Sequence, residues 1–372
     1  MKFVVAPDSF KGSISAKDVA ACVEKGIKTV LPDCCVITKP IADGGEGTLD
    51  AIVPADCRHT VQICGPLFER MSAQYGWIGD TAVIEMAAAA GLTLIDEKRR
   101  NAGNTTTHGV GSLIRDALQR GFRKIMLTVG GSATNDGGCG MLAALGAVFK
   151  DCYGDSFVPT GNTLDLIWDI DVSQLMPELS DCEIIIATDV KNPLIGELGA
   201  TNVFAPQKGL VDGQQEFLEE GMEHYAEIVR LITGKDITMI EGVGAGGGIA
   251  APLLAFTGAT IRSGIDTVLD VIGFDAALEG VDAVITGEGR IDAQSLYGKA
   301  ISGVAARVAA KNIPVICFAG CVDGDLDEIK RLGVKEIYTV MERAKSKEDS
   351  MQNAGEYLTC MAREFAVKFT KK

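Results

Sequence analysis

Histidine is nearly absent from this chain: His59, His108 and His224 are the three in 372 residues. None stands at zinc-module spacing from a cysteine or another histidine, which excludes a structural zinc site of the usual kind. The 11 cysteines include no Cys-x-x-Cys pair, although Cys34 and Cys35 are adjacent. They read as small buried apolar residues in a reducing compartment, not as a disulfide framework. Basic charge is short as well. Against 50 Asp and Glu stand 35 Lys and Arg, a formal charge of −15, which argues against nucleic acid and other polyanionic partners. Long apolar runs are missing. The longest, residues 82–95, is broken by Glu85 and is too short to span a membrane. The apolar start, residues 1–6, meets Asp8 and Lys11 too soon for a signal-peptide core. The expectation is a cytoplasmic protein with no membrane contact. No Gly-x-x-x-x-Gly-Lys-[Ser/Thr] phosphate loop occurs either.

Glycine is plentiful, at 44 residues, and 47% of the chain is hydrophobic, enough for a sizeable core and more in keeping with two domains than one. Three glycine-rich segments also carry carboxylates: residues 43–48, 130–138 and 286–292. Each follows an apolar run and reads as a strand passing into a turn. Glycines let backbone N–H groups approach a ligand, and acids among them offer oxygen ligands to a hard cation. An anionic ligand beside a divalent metal is the chemistry of phosphoryl transfer.

The first fifty residues alternate strand, loop and helix: a strand at 3–6, a helix opened by Ser15 and running to about Val30, a strand at 36–39, and a helix from Thr48. That is the grammar of an open parallel sheet. Short strands at 61–64, 74–78 and 81–85 are spaced for antiparallel pairing. Further strands are expected at 125–129 and 184–187, with helices at 107–119, 141–148 and 214–233. The first grammar returns with strands at 283–286, 314–318 and 336–340 and helices at about 298–311 and 351–369. The expected fold is α/β in two domains. Residues 1–65 plus 270–372 form a flavodoxin-like parallel-sheet domain built from both chain ends, and 66–269 an inserted mixed α/β domain.

Strand ends supply the candidate residues, because ligands of open α/β sheets bind outside the carboxyl ends of strands. Asp8, Ser9 and Lys11 follow the first strand, where a lysine can neutralise phosphate charge. Asp43 and Glu46 lie in a loop at a corresponding strand end. Asp189 ends another strand, with Asn192 three residues on; an acid there takes a hydroxyl proton or holds Mg²⁺, with a helix N-cap as the structural alternative. Glu288 and Asp292 flank Arg290, an arrangement that also suits an internal ion pair. Lys208 suits either phosphate or solvent. Residues 242–247 match Gly-x-Gly-x-x-Gly, with Asp266 at about the distance a dinucleotide fold requires. The flanking strand candidates, 237–240 and 259–265, are short or polar, so glycine-rich helix packing or a phosphate-facing turn is the better reading.

Together, segments 6–12, 41–48, 130–138, 187–194, 204–209 and 286–292 resemble those of bacterial glycerate kinases of the first type, in order along essentially the whole chain. The resemblance implies ATP- and Mg²⁺-dependent phosphorylation of D-glycerate at the C2 hydroxyl, giving 2-phosphoglycerate. It also implies a flavodoxin-like domain and a second α/β domain, with the site in the cleft they form. Within that reading Lys11 and Asp189 are catalytic, and Asp8, Ser9, Asn192 and Arg290 bind the substrate. Gly130, Gly131, Ser132, Thr134, Asn135 and Lys208 meet the nucleotide, while Asp43, Glu46 and Glu288 are the candidates for Mg²⁺. Two other classes stay open: an NAD(P)-dependent hydroxy-acid oxidoreductase, resting on residues 242–247, and a non-catalytic metabolite-binding protein. The sequence leaves room for a homo-oligomer.

Overall fold

The computed structural model describes residues 1–291, 300–323 and 326–371. They divide into two compact units. The first comprises Met1–Asp43, Asp50–Ile52 and the described part of Ser263–Lys372; the second comprises Gly44–Leu49 and Val53–Arg262.

The first unit holds a five-stranded sheet in the order Val334–Thr339, Val315–Val322, Ala283–Ile291, Lys2–Pro7, Cys35–Thr38, with every pairing parallel. Counted in chain order within the unit, this is the 2-1-3-4-5 arrangement of flavodoxin-like sheets. Phe3, Val4, Val5 and Ala6 are all 0% exposed, as a strand covered on both faces demands. The helix Ala16–Val30 starts where Ser15 Oγ accepts the Asp18 N–H. Its Val19, Ala20, Val23 and Ile27 recur at helical spacing and join Phe3, Val5, Leu358 and Phe365 in one core. Gly26 lets this helix close on Ala354–Phe369, since a Cβ there would run into Thr359 O. The single C-terminal helix expected over 351–369 is two, Lys347–Gln352 and Ala354–Phe369, separated at Asn353.

The second unit holds a six-stranded mixed sheet in the order Thr260–Arg262, Glu183–Ala187, Lys124–Thr128, Thr81–Glu85, Arg70–Ile78, Arg58–Cys64. Its last two pairings are antiparallel and the rest parallel. Antiparallel pairing with Arg70–Ile78 places Arg58–Cys64 in this sheet, whereas the sequence reading put residues up to 65 with the chain ends. A small antiparallel sheet of Ser156–Phe157, Val148–Lys150 and Asp169–Asp171 was not anticipated. The helix expected over 141–148 instead spans Cys139–Ala144. Gly146, at φ 111°, turns the chain and frees Val148 to enter a strand. No disulfide forms; Cys139, Cys182 and Cys317 are buried, but Cys35, Cys152 and Cys360 are exposed, so burial explains only part of the cysteine content.

Asp136, 0% exposed, ties two helix starts together. It accepts from Thr107 N at 2.7 Å and Thr107 Oγ1 at 2.8 Å, and from Gly138 N at 3.1 Å and Gly140 N at 3.2 Å. Burial pushes its carboxyl above the ordinary value, and the four donors oppose the shift. Asp136→Asn replaces one accepting oxygen by a donor and should cost roughly 2 kcal/mol in urea unfolding. An unchanged midpoint and slope would show that the donors find other partners.

Candidate active site

In a 2-1-3-4-5 sheet the switch point lies where the first and third strands run side by side, here Lys2–Pro7 and Ala283–Ile291. The chain leaves the first strand with Asp8 N donating to Gly287 O at 2.8 Å. It then turns tightly, with Phe10 N donating to Ile14 O at 2.9 Å and Phe10 only 4% exposed. Anchoring Phe10 in the core sends Lys11 outward: its side chain is 73% exposed, with Nζ 3.4 Å from Asp43 Oδ2. Asp43 arrives because the chain beyond Cys35–Thr38 stays alongside the first strand, through Lys39 N to Val5 O and Ile41 N to Pro7 O.

Glu288 and Arg290 correct the sequence reading. Residues 287–291 are not a turn: the strand Ala283–Ile291 continues through them, pairing Glu288 with Ala319 and Arg290 with Cys321. Residues two apart share a face of a strand, and Glu288 and Arg290 both line one pocket of about 670 Å³ with Asp8, Ser9, Lys11 and Asp43. Arg290 forms an ion pair with Asp323, another pocket residue. Asp292, the partner considered from sequence, lies outside the described residues. Asp323 escaped the sequence reading because the strand was expected to end at 318; its true end at Val322 is the signal that would have found it.

Burial, reinforced by the Asp43 charge, pushes the Asp8 carboxyl up from its ordinary 3.8 to about 6. For Lys11, burial pulls the ammonium down, but Asp43, Asp8 and Glu288 outweigh it and hold the pKa above the ordinary value. The Asp8 shift has a consequence for stability. The folded protein keeps the Asp8 proton up to about pH 6, while the unfolded chain releases it near 3.8. Ionised Asp8 therefore costs stability above pH 6, and the cost fades as pH falls through this window. Asp8→Asn, which still accepts the Ser9 N–H, should raise Tm at pH 8 by about a few degrees, with the gap closing near pH 4. Equal Tm values at pH 8 would contradict the assignment.

The remaining candidates belong to the second unit. Glu46 is exposed and lies against the glycine-rich corner: a Cβ on Gly131 would sit 3.3 Å from its Oε2, and one on Gly130 3.0 Å from Gly45 Cα. Two of the three glycine segments thus meet backbone to backbone. Gly131 is exposed and Gly130 half-buried, but Ser132, Thr134 and Asn135 are buried. Thr134 Oγ1 donates to Gly246 O at 3.4 Å and Asn135 Nδ2 to Thr201 Oγ1 at 3.1 Å. Lys208, 3% exposed, donates to Thr134 O at 2.8 Å. Burial brings its ammonium down to about 7, against the pull of Asp136. Lys208 is therefore not solvated, contrary to one of its two sequence readings; it braces the glycine corner from within.

Asp189 is exposed just beyond Glu183–Ala187. The helix N-cap alternative falls, because the next helix begins at Ala200 with Gly199 as its cap. Asn192 Nδ2 donates to Leu198 O at 2.8 Å and so closes the following loop. Residues 242–247 follow no strand, and a Cβ on Gly247 would run into Thr134 O. These glycines serve packing against the 130–138 segment, and the dinucleotide reading loses its basis. Among the described residues, no cluster of three His, Cys, Asp or Glu side chains stands ready to cage a metal, and no helix is long and apolar enough to cross a membrane.

The family model described as the glycerate kinase family matches residues 3–370. A glycerate 2-kinase of Escherichia coli K12 is 40% identical over 370 residues, 98% of this chain and 97% of that protein. A glycerate kinase of Bacillus subtilis 168 is 41% identical, with the same 98% and 97% coverage. The solved structure of a candidate glycerate kinase 2 from Salmonella typhimurium LT2 superposes with a TM-score of 0.89 at 42% identity, covering 100% of this chain and 98% of that one.

Proposed function

This chain belongs to the glycerate kinase family, and from that premise we propose that it transfers the γ-phosphoryl group of ATP to the C2 hydroxyl of D-glycerate, giving 2-phosphoglycerate. The observation that carries the reading is the meeting of Lys11, Asp43 and Glu288 with Asp8 in one pocket at the switch point of the first unit. A cation facing acids there suits a metal-bound polyphosphate.

The donor set fits Mg²⁺. This ion takes one or two carboxylates and fills its other positions with water and phosphate oxygens, so a preformed three-residue cage is not required. Asp43 and Glu288 would hold it, with Glu46 as a further carboxylate. Bound there, it would neutralise phosphate charge and align the transferring group. Lys11 neutralises the transferring phosphoryl group. Asp189 accepts the proton of the glycerate hydroxyl as the oxygen attacks. Arg290 exchanges its exposed pairing with Asp323 for the glycerate carboxylate, at small cost because an exposed pair is weak. Asp8, Ser9 and Asn192 orient the acid. Gly130, Gly131 and Ser132 offer backbone N–H groups to phosphate oxygens, while Thr134, Asn135 and Lys208 keep that corner in shape. A cytoplasmic setting suits a reaction that consumes ATP.

The test is a ³¹P NMR assay with D-glycerate, ATP and Mg²⁺. Transfer to C2 gives a phosphomonoester doublet, split by the single C2 proton. A triplet would move the reaction to C3, and no glycerate-dependent product would end the kinase reading.

A further inference from the structure

The first unit's pocket is larger than its charged part requires. About 670 Å³ lies in the range that accommodates a drug-sized ligand, far more than a three-carbon acid occupies. Besides the acids and Lys11, its lining includes Met341, Met351 and Val322. Met341 and Met351 are each 39% exposed, so two large apolar side chains open into one cavity. Both are held by their backbones. Met341 follows the edge strand Val334–Thr339, with its N–H donating to Gly320 O at 3.0 Å. Met351 sits over the turn after the first strand, where Ser13 Oγ donates to its carbonyl at 2.6 Å.

Strand order gives the pocket its length. The strand before Met341 and the strand before Lys11 are separated by two others, which at the usual spacing is about 14 Å along the strand ends. Along this line two glycines, Gly289 and Gly320, line the pocket beside the larger residues of the same strands, and Gly289 packs so near Phe10 that a Cβ would lie 3.0 Å from its Cα. A cavity with a methionine-lined part, two glycines along its length and a charged part matches a nucleotide in outline. Thioethers are polarisable and adapt well to aromatic faces.

We propose that Met341 and Met351 form the nucleobase seat of the first unit, holding the purine of ATP while its phosphates run over Gly320 and Gly289 toward Lys11 and Asp43. This rests on the ATP-dependent reading above and assigns the base to residues that reading does not use.

Calorimetry with the Mg²⁺ complex of the non-hydrolysable analogue AMP-PNP tests it. The Met341→Ala, Met351→Ala double variant should bind the analogue about tenfold or more weakly, while Mg²⁺–tripolyphosphate, which has no base, binds both proteins alike. Unchanged AMP-PNP affinity in a variant with wild-type thermal unfolding overturns the proposal. Photolabelling of the wild-type protein with 8-azido-ATP decides it independently. Label in residues 334–352 supports the seat, and label confined to residues 53–262 overturns it. Neither measurement needs turnover. Nucleotide binding at the methionines without glycerate-dependent phosphorylation would sink the kinase reading and leave the seat standing.

Discussion

Lys11→Ala should lower kcat by about 10³-fold, the scale on which a single charge-stabilising group acts in acyl and phosphoryl transfer. The reason is its position. The turn anchored by Phe10 projects the ammonium into the pocket, and the charges of Asp43, Asp8 and Glu288 keep it protonated despite partial burial. Its ion pair with Asp43 is long, at 3.4 Å, with the lysine exposed and the aspartate half-buried. Such a pair contributes about 1 kcal/mol at most to folding, so the variant should unfold at nearly the wild-type temperature. That separation of activity from stability is the diagnostic. Lys11→Arg should recover only part of the rate, because a planar fork does not replace a compact point charge. Steady-state kinetics at saturating ATP and D-glycerate provide the check, and an undiminished kcat for Lys11→Ala would remove Lys11 from the mechanism.

The second large effect is expected at Asp189. Asp189→Asn keeps the size of the side chain but cannot take a proton, and kcat should fall by about 10²- to 10⁴-fold, the usual contribution of a positioned general base. The KM for D-glycerate should change far less, since loss of an interaction made mainly in the transition state lowers kcat rather than ground-state binding. A structural role would give a different pattern. Asp189 caps no helix and is exposed, so little stability is at stake. Near-normal turnover by Asp189→Asn would rule out proton transfer at this residue.

Much of the fold was legible because local pattern decided it. Val4 and Val5 in an unbroken apolar run mark a strand covered on both faces, and Ser15 before an apolar stripe marks a helix start; both elements formed as expected. The helix Gln214–Thr233 matches its sequence limits, since glycines stand on either side of a strongly amphipathic run. The misreadings have a common cause. Glu288 and Arg290 looked like turn residues among glycines, but Val315–Val322 pairs alongside and carries the strand past them. Val148 looked helical until Gly146 turned the chain.

By itself the sequence determined the elements and the chemistry at their ends: which carboxylates, which lysines and which glycines follow a strand. Such features depend on side-chain periodicity and backbone freedom over a few residues. Only the tertiary structure decided that Lys11, Asp43, Glu288 and Arg290 share one pocket, and that Lys208 is buried against Thr134 while Asp189 is exposed. These outcomes depend on which strands pair across more than two hundred residues, and on which side chains the resulting layers enclose. Hydrophobic burial and hydrogen-bond pairing settle both through the whole chain at once, so no short segment carries them.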